Sequence, residues 1–230
     1  MTNTIGNPEQ NNTKIKNILN LAKINNEFIN NDKDFKDLII KSLDKKAVVL
    51  DVGKSMREKY KIINCKQKST LDINKFFDYP DFQIDLSDEN LEIEKTTLYQ
   101  KFDVIICLAV LEHVYNPFIA IKNLKKMLKK NGTFYGYVPF LYFYHAPKSL
   151  IFQDFYRYTK DGLVYLFKDF REITLFPNRG RIPTGLHILM GSLWKKFLEI
   201  NIISLLLNKI TSNLSNTTQT SGYYFIAKNY

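Results

Sequence analysis

The sequence predicts an α/β fold, a doubly wound and mostly parallel sheet whose strands alternate with helices. Three observations predict it. AVVLDVG (47–53) and FDVIICLAV (102–110) are short, nearly continuous apolar runs, as strands buried on both faces require. FIAIKNLKKMLKK (118–130) puts Ile121, Leu124, Met127 and Leu128 on one helical face and then meets Asn131-Gly132, a helix terminator. GTFYGYVPF (132–140) reads as the next strand, and strand, helix, strand in this order means a right-handed parallel crossover.

The remaining elements follow in chain order. Residues 1–13 are rich in Asn, Thr and Gln and read as a frayed leader, so a single domain is expected over 14–230. Within 14–45, Ile15, Ile18, Leu19, Leu21 and Ala22, then Phe35, Leu38 and Ile39, recur at helical spacing and predict two short helices parted near Asn30-Asn31. KSTLDIN, the weaker run FQID, REITLFPN and the terminal GYYFIAKN read as strands, and DGLVYLFKDF as a helix. Residues 182–221 are an apolar helical portion followed by a Ser/Thr/Asn-rich loop, an insertion before the last strand. Its apolar face has three outlets: the core, a second subunit in a homodimer, or a membrane surface. Core or partner burial is favoured, because the polar face is not enriched in basic residues.

Composition narrows the class. With 230 residues, 45% hydrophobic, the chain has enough material for a sizeable core, which excludes wholesale disorder. Two cysteines, Cys65 and Cys107, make neither a disulfide framework nor a four-cysteine zinc site; no metal ligand set is expected, and a reducing, cytoplasmic setting fits best. The N-terminus lacks the features of a secretory signal, and Lys195, Lys196 and Glu199 interrupt the late apolar region, so no transmembrane span is expected. A net charge of +10 is compatible with acidic partners, but solvated helix faces account for it first.

In an open parallel sheet, ligands bind beyond the carboxyl ends of the strands, where strand order reverses. The residues at those ends are Asp51 and Gly53, Asp72, Asp85, and Leu108 to His113. Gly53 lets the backbone turn close beside a ligand, and a helix following it offers free N–H groups to a carboxylate or phosphate. Asp72, about 20 residues beyond that turn, stands where an acid accepts hydrogen bonds from ribose hydroxyls, so an adenosine-bearing cofactor is the expected guest. Alone, Asp-x-Gly is equally a plain turn and Asp72 equally a helix cap. Their spacing within the strand pattern favours the ligand.

VVLDVG, LDIN, QIDL, FDVIICLAVLEHVYNPFIAIKNLKKMLKKNG and YVPF together resemble the class I S-adenosylmethionine-dependent methyltransferases, especially the small-molecule and sugar methyltransferases found with surface-polysaccharide genes. The resemblance spans roughly residues 46–180 and returns at GYYFIAKN, which is similar to the family's antiparallel last strand; its most specific piece is FDVIICLAVLEHVYNP. It implies a seven-stranded Rossmann-like sheet, S-adenosyl-L-methionine as cofactor and S-adenosyl-L-homocysteine as product. It also implies that Asp51 and Gly53 lie beside the methionine part, that Asp72 holds the ribose, that Asp85 and Leu86 contact the adenine edge, and that Leu108 and Ala109 border the sulfonium. The family usually carries two or three glycines in the first loop, whereas Gly53 is followed here by Lys54-Ser55-Met56-Arg57. Lys54 or Arg57 is then the group expected to meet the cofactor carboxylate.

Methyl transfer to a hydroxyl needs an aligned nucleophile and a base for its proton. The candidates near neutral pH are the three histidines: His145, ranked first, His113, ranked second, and His187, whose default role is structural. His145 lies in a loop that continues into QDFYRYT and crowds aromatic and polar groups together. Tyr144, Tyr158 and Arg157 are the candidate acceptor contacts, with aromatic faces for a sugar ring and a guanidinium for a phosphate or carboxylate. Asp154 is expected either to orient His145 or to bind a hydroxyl. Equally weighted against both roles is a simple Asp154–Arg157 ion pair that closes the loop.

The favoured activity is O-methylation of a sugar or nucleotide-linked sugar in capsule or lipopolysaccharide biosynthesis. An RNA methyltransferase also accommodates the charge and the aromatics, but no base-methylating Asn/Asp-Pro-Pro-Tyr motif and no separate basic module is present. A catalytically silent partner protein is the alternative that the atypical first loop supports. A nicotinamide-dependent oxidoreductase ranks below these, because G-x-G-x-x-G is absent.

Overall fold

The computed structural model describes residues 8–25, 28–29, 31–53, 64–149, 151–198 and 218–230. Its centre is an eight-stranded sheet in the order β1-β7-β8-β6-β5-β2-β3-β4. The strands are β1 (Ala22–Ile24), β2 (Val48–Val52), β3 (Gln67–Asp72), β4 (Phe82–Gln83), β5 (Phe102–Leu108), β6 (Leu128–Pro139), β7 (Glu172–Asn178) and β8 (Gly222–Lys228). β8 runs antiparallel to both of its neighbours, β6 and β7, and every other pairing is parallel. The helices are α1 (Pro8–Leu19), α2 (Asp32–Ser42), α3 (Pro117–Met127), α4 (Lys160–Leu166) and α5 (Arg181–Leu198).

Side chains that alternate along the strands build two separate cores, one on each face of the sheet. Leu50, Val52, Ile105, Cys107, Phe134 and Phe225 meet Ala120, Leu124, Leu163 and Phe167 of the α3 and α4 side. On the opposite face Val49, Ile106, Tyr135 and Tyr224 meet Phe35 and Ile39 of α2. That helix starts where its sequence says it should: the Asn31 side chain accepts from the Asp34 N–H (2.9 Å), and Asp32 and Asp34 occupy the positive first turn. Asn116 caps α3 in the same way, ahead of Pro117 at the first helical position.

Three expectations are corrected. Residues 8–13 are the first half of α1 rather than a leader, while residues 1–7 lie outside the described residues. Leu21 and Ala22 do not continue a helix. The chain leaves α1 at Leu19, and Ala22–Ile24 pair with Ile173–Leu175 on the free edge of β7, which makes eight strands instead of seven; the available edge overrides the local helical spacing. α3 stops at Met127, because Leu128 is already paired with Phe102 in the sheet, and Asn131, at φ 58°, turns inside a register shift between β5 and β6. The expected insertion at 182–221 begins as α5, and its middle, 199–217, lies outside the described residues. Among the described residues no helix is long and apolar enough to cross a membrane.

β2 has β3 on one side and β5 on the other, so strand order reverses between β2 and β5. Their carboxyl ends, Asp51–Gly53 and Leu108–Ala109, therefore flank the crevice where ligands bind in this architecture. The lysine-rich groove lined by Lys122, Lys125, Lys126, Lys130 and Lys168 also includes Gln100 and Leu128, at the amino ends of β5 and β6. The positive charge thus gathers at the far end of the sheet from the crevice.

Candidate active site

Two turns shape the crevice floor. Gly53 sits at φ 66° after β2, donates its N–H to the Leu71 carbonyl (2.9 Å), and would drive a Cβ to 2.5 Å from Val110. Only glycine fits a left-handed turn pressed this closely on its neighbour. Ala109 also takes a left-handed conformation (φ 55°) at the end of β5, where it is exposed and donates to the Tyr137 carbonyl. A non-glycine residue held there is a strained point at a strand end.

The expected cofactor residues line up along this rim. Asp51 is buried at the end of β2, and Leu108 at the end of β5. Asp72 ends β3, with its carboxylate accepting from the Asn74 N–H (3.0 Å) and the Tyr79 hydroxyl (3.1 Å). Asp85 accepts from the Ser87 N–H (2.8 Å), while the Leu86 carbonyl accepts from Asn123 on α3 (3.0 Å). Lys54 and Arg57 lie outside the described residues. The rim fits an adenosyl group: acids end adjacent strands, and a glycine turn and an exposed Ala109 leave room between them.

Beside it is a second, denser constellation. Residues 140–149 and 151–158 fold back over the 3₁₀ turn Leu111–His113. Phe155 and Tyr156 donate backbone N–H groups to the Glu112 carbonyl (2.8 and 3.2 Å), and the Tyr156 hydroxyl donates to the Tyr115 carbonyl (2.8 Å). This wrapping brings His145 to His113, with Nε2 to Nε2 at 3.2 Å, and Glu112 Oε1 lies 3.8 and 3.9 Å from those two nitrogens.

His113 Nδ1 is 2.5 Å from the Gln153 carbonyl and is therefore the donor. His145 Nδ1 faces the Phe143 carbonyl (3.1 Å) and Asp154 Oδ2 (3.3 Å), with Arg157 Nη2 at 3.5 Å. The two Nε2 atoms face each other within hydrogen-bonding distance, so at most one proton lies between them. Asp154 also accepts from the His145 N–H (2.9 Å), so it contacts both backbone and ring.

Charge is concentrated here. Glu112 is 1% exposed, its Oε2 has no hydrogen-bond partner among the described residues, and burial pushes its carboxyl up to about 8. Burial likewise pushes His113 down, favouring the neutral imidazole. Hydrogen bonds from Arg157 hold Asp154 down at about 2, hence ionised.

Two expected substrate contacts are corrected. Arg157 commits its five N–H donors to the loop itself: Nε to the Tyr142 carbonyl, Nη1 to Asp154 and the Tyr156 carbonyl, Nη2 to the Phe143 carbonyl and Asp154. None is left for a phosphate, and the loop-closing ion pair is its role. Tyr158 is 7% exposed and donates its hydroxyl to the Leu111 carbonyl (2.8 Å), a buried strut rather than a stacking face. Tyr144, at 72% exposed, remains available beside His145. His187 is buried between the Tyr142 and Phe143 rings, in the structural place expected of it. Glu112 is the residue that sequence reasoning passed over. The available signal was an acid set in an apolar run, Val110-Leu111-Glu112.

Comparison with known proteins agrees with this geometry. Residues 38–134 match the sequence model of a family described as "Methyltransferase domain". Similar solved structures include a SAM-dependent methyltransferase from Archaeoglobus fulgidus, at 15% identity, with 86% of this chain and 95% of that one covered and a TM-score of 0.50. The cyclase SpnF has 12% identity, coverage of 94% and 92% and the same TM-score of 0.50. A Burkholderia thailandensis 1,6-didemethyltoxoflavin-N1-methyltransferase with bound S-adenosylhomocysteine has 12% identity, coverage of 86% and 77% and a TM-score of 0.47. No curated protein matches the sequence. A shared fold that serves both a methyltransferase and a cyclase leaves the choice of acceptor to the site. With the matched segment running from α2 into β6 and the antiparallel β8 completing the sheet, the chain has a Rossmann-like α/β fold of the kind found in the Archaeoglobus methyltransferase it is similar to.

Proposed function

We propose that the protein O-methylates a sugar or nucleotide-linked sugar, as in surface-polysaccharide biosynthesis. The observation that carries this reading is the His113–His145 pair, with the two Nε2 atoms facing each other at 3.2 Å, beside the exposed ring of Tyr144. A flat aromatic face stacks on a sugar ring, and a lone pair on imidazole accepts the proton of its hydroxyl. When bound, S-adenosylmethionine supplies an electrophilic methyl group and leaves as the neutral thioether.

The chain's own residues do the rest. Asp72 and Asp85, at the ends of β3 and β4, hold the adenosine, and Gly53 keeps the first turn close to it. His145 takes the hydroxyl proton at Nε2, with Asp154 holding its other nitrogen and stabilising the imidazolium.

The test is a screen of sugar nucleotides with mass detection of an added methyl. In that assay His145→Ala is expected to abolish turnover with cofactor affinity nearly intact, and Asp72→Ala to weaken the cofactor first. Full turnover in the His145 variant removes it as the base.

A further inference from the structure

We propose that Glu112, His113 and His145 form a binding site for a zinc-class divalent cation. The inference rests on the reading of this cluster as the place where the acceptor is activated, and deepens it. Three basic atoms converge: His113 Nε2, His145 Nε2 and Glu112 Oε1 form a triangle with sides of 3.2, 3.8 and 3.9 Å. The point equidistant from all three lies about 2.1 Å from each, which is the bond length of Zn²⁺ to imidazole nitrogen and carboxylate oxygen.

The space between the rings calls for a positive occupant. Each Nδ1 is turned outward, His113 toward the Gln153 carbonyl and His145 toward the Phe143 carbonyl and Asp154. The two Nε2 atoms are left facing each other at 3.2 Å, where one proton or one cation joins them. Glu112 is too far from either nitrogen to close a hydrogen bond, and its buried Oε2 has no partner among the described residues. A cation at the centre satisfies all three atoms at once.

The outer contacts have the form of a metal site. Imidazole ligands are held by a carbonyl or carboxylate on their other nitrogen, and here Asp154 is in turn clamped by Arg157. Two nitrogens and one carboxylate oxygen select Zn²⁺, Fe²⁺, Co²⁺ or Mn²⁺ over the oxygen-seeking Ca²⁺ and Mg²⁺. His145, at 31% side-chain exposure, leaves one side open for a fourth ligand. An acceptor hydroxyl bound there is acidified by the cation, which takes over the work of the imidazole lone pair.

The full-length protein, stripped with a chelator and dialysed, should be titrated with Zn²⁺ by calorimetry and with Co²⁺ by visible absorption. One equivalent of Zn²⁺ and a d–d band from bound Co²⁺ are expected. His113→Gln and His145→Gln should each weaken Zn²⁺ by at least about 100-fold, and Asp154→Asn by about 10- to 100-fold. No uptake, no Co²⁺ band from the unaltered protein, or undiminished binding after both histidines are replaced would overturn the site, leaving a shared proton as its occupant. A parallel titration with S-adenosylmethionine separates the two readings. Cofactor binding without metal uptake sinks only the cation, and metal uptake without cofactor binding sinks only the methyltransferase reading.

Discussion

Gly136 on β6 lies so close to the Phe225 ring on β8 that a single added methyl would reach to within 2.0 Å of it. Phe225 cannot retreat, because Phe134 stacks on it at 5.9 Å and Phe167 meets it edge-on at 4.8 Å. Gly136→Ala is therefore expected to destabilise the protein by about 2–3 kcal/mol through overpacking, read as a lower urea midpoint with an unchanged slope. At Ala109 the sign reverses. Its left-handed backbone is exposed, so Ala109→Gly should relieve strain and raise stability by up to about 1 kcal/mol, measured by the same titration. Residues such as Asp51, Asp72 and Asp85 could be named in advance because strand ends are legible from apolar runs. Glu112 could not, since its chemistry depends on His145, 33 residues further on, and the return of the loop that joins them is written in backbone hydrogen bonds rather than in any spacing.

At the scale of elements, Asp103 ties three strands together near their amino ends. Its carboxylate accepts from the Val48 N–H ahead of β2's pairing (2.8 Å) and from Lys129 at the start of β6 (2.9 Å). Burial pushes the carboxyl up, but these two donors together outweigh it and leave it below its ordinary value. A folded value below the unfolded one stabilises fully above the ordinary carboxylate range, and the gain is lost as pH falls through the lowered value. Asp103→Asn should cost about 0.5–1 kcal/mol at pH 7, with the difference from the parent vanishing in acid; the group is partly exposed, so screening keeps it small. Asn116→Ala, removing the cap of α3, should cost about 1 kcal/mol and lower thermal stability without shifting Asp103's acid transition. The body of α3 was readable in the sequence, from Ile121, Leu124 and Met127 on one face. The edge strand β1 was not, because three residues carry no period of their own and are recruited by whatever edge stands open.

For the whole molecule, the cofactor should act as a stabiliser by mass action. At 100 times its dissociation constant, S-adenosylmethionine is expected to add about 2.7 kcal/mol, or roughly 5–10 °C in melting temperature for a domain of this size. No shift with either the cofactor or its demethylated product would leave the fold as a partner protein. The lysine groove should contribute little to this binding, since it sits at the amino ends of the strands.

The position of β8 also sets an order of events in time. It is the latest of the strands along the chain, yet it stands between β6 and β7, so among the described residues β7 and β1 have no strand pairing with the rest of the sheet until it docks. Contacts between such distant segments form slowly. During refolding, amides of Ile173 to Leu175 should gain exchange protection only together with those of Gly222 to Lys228, after β2 and β5 are already shielded.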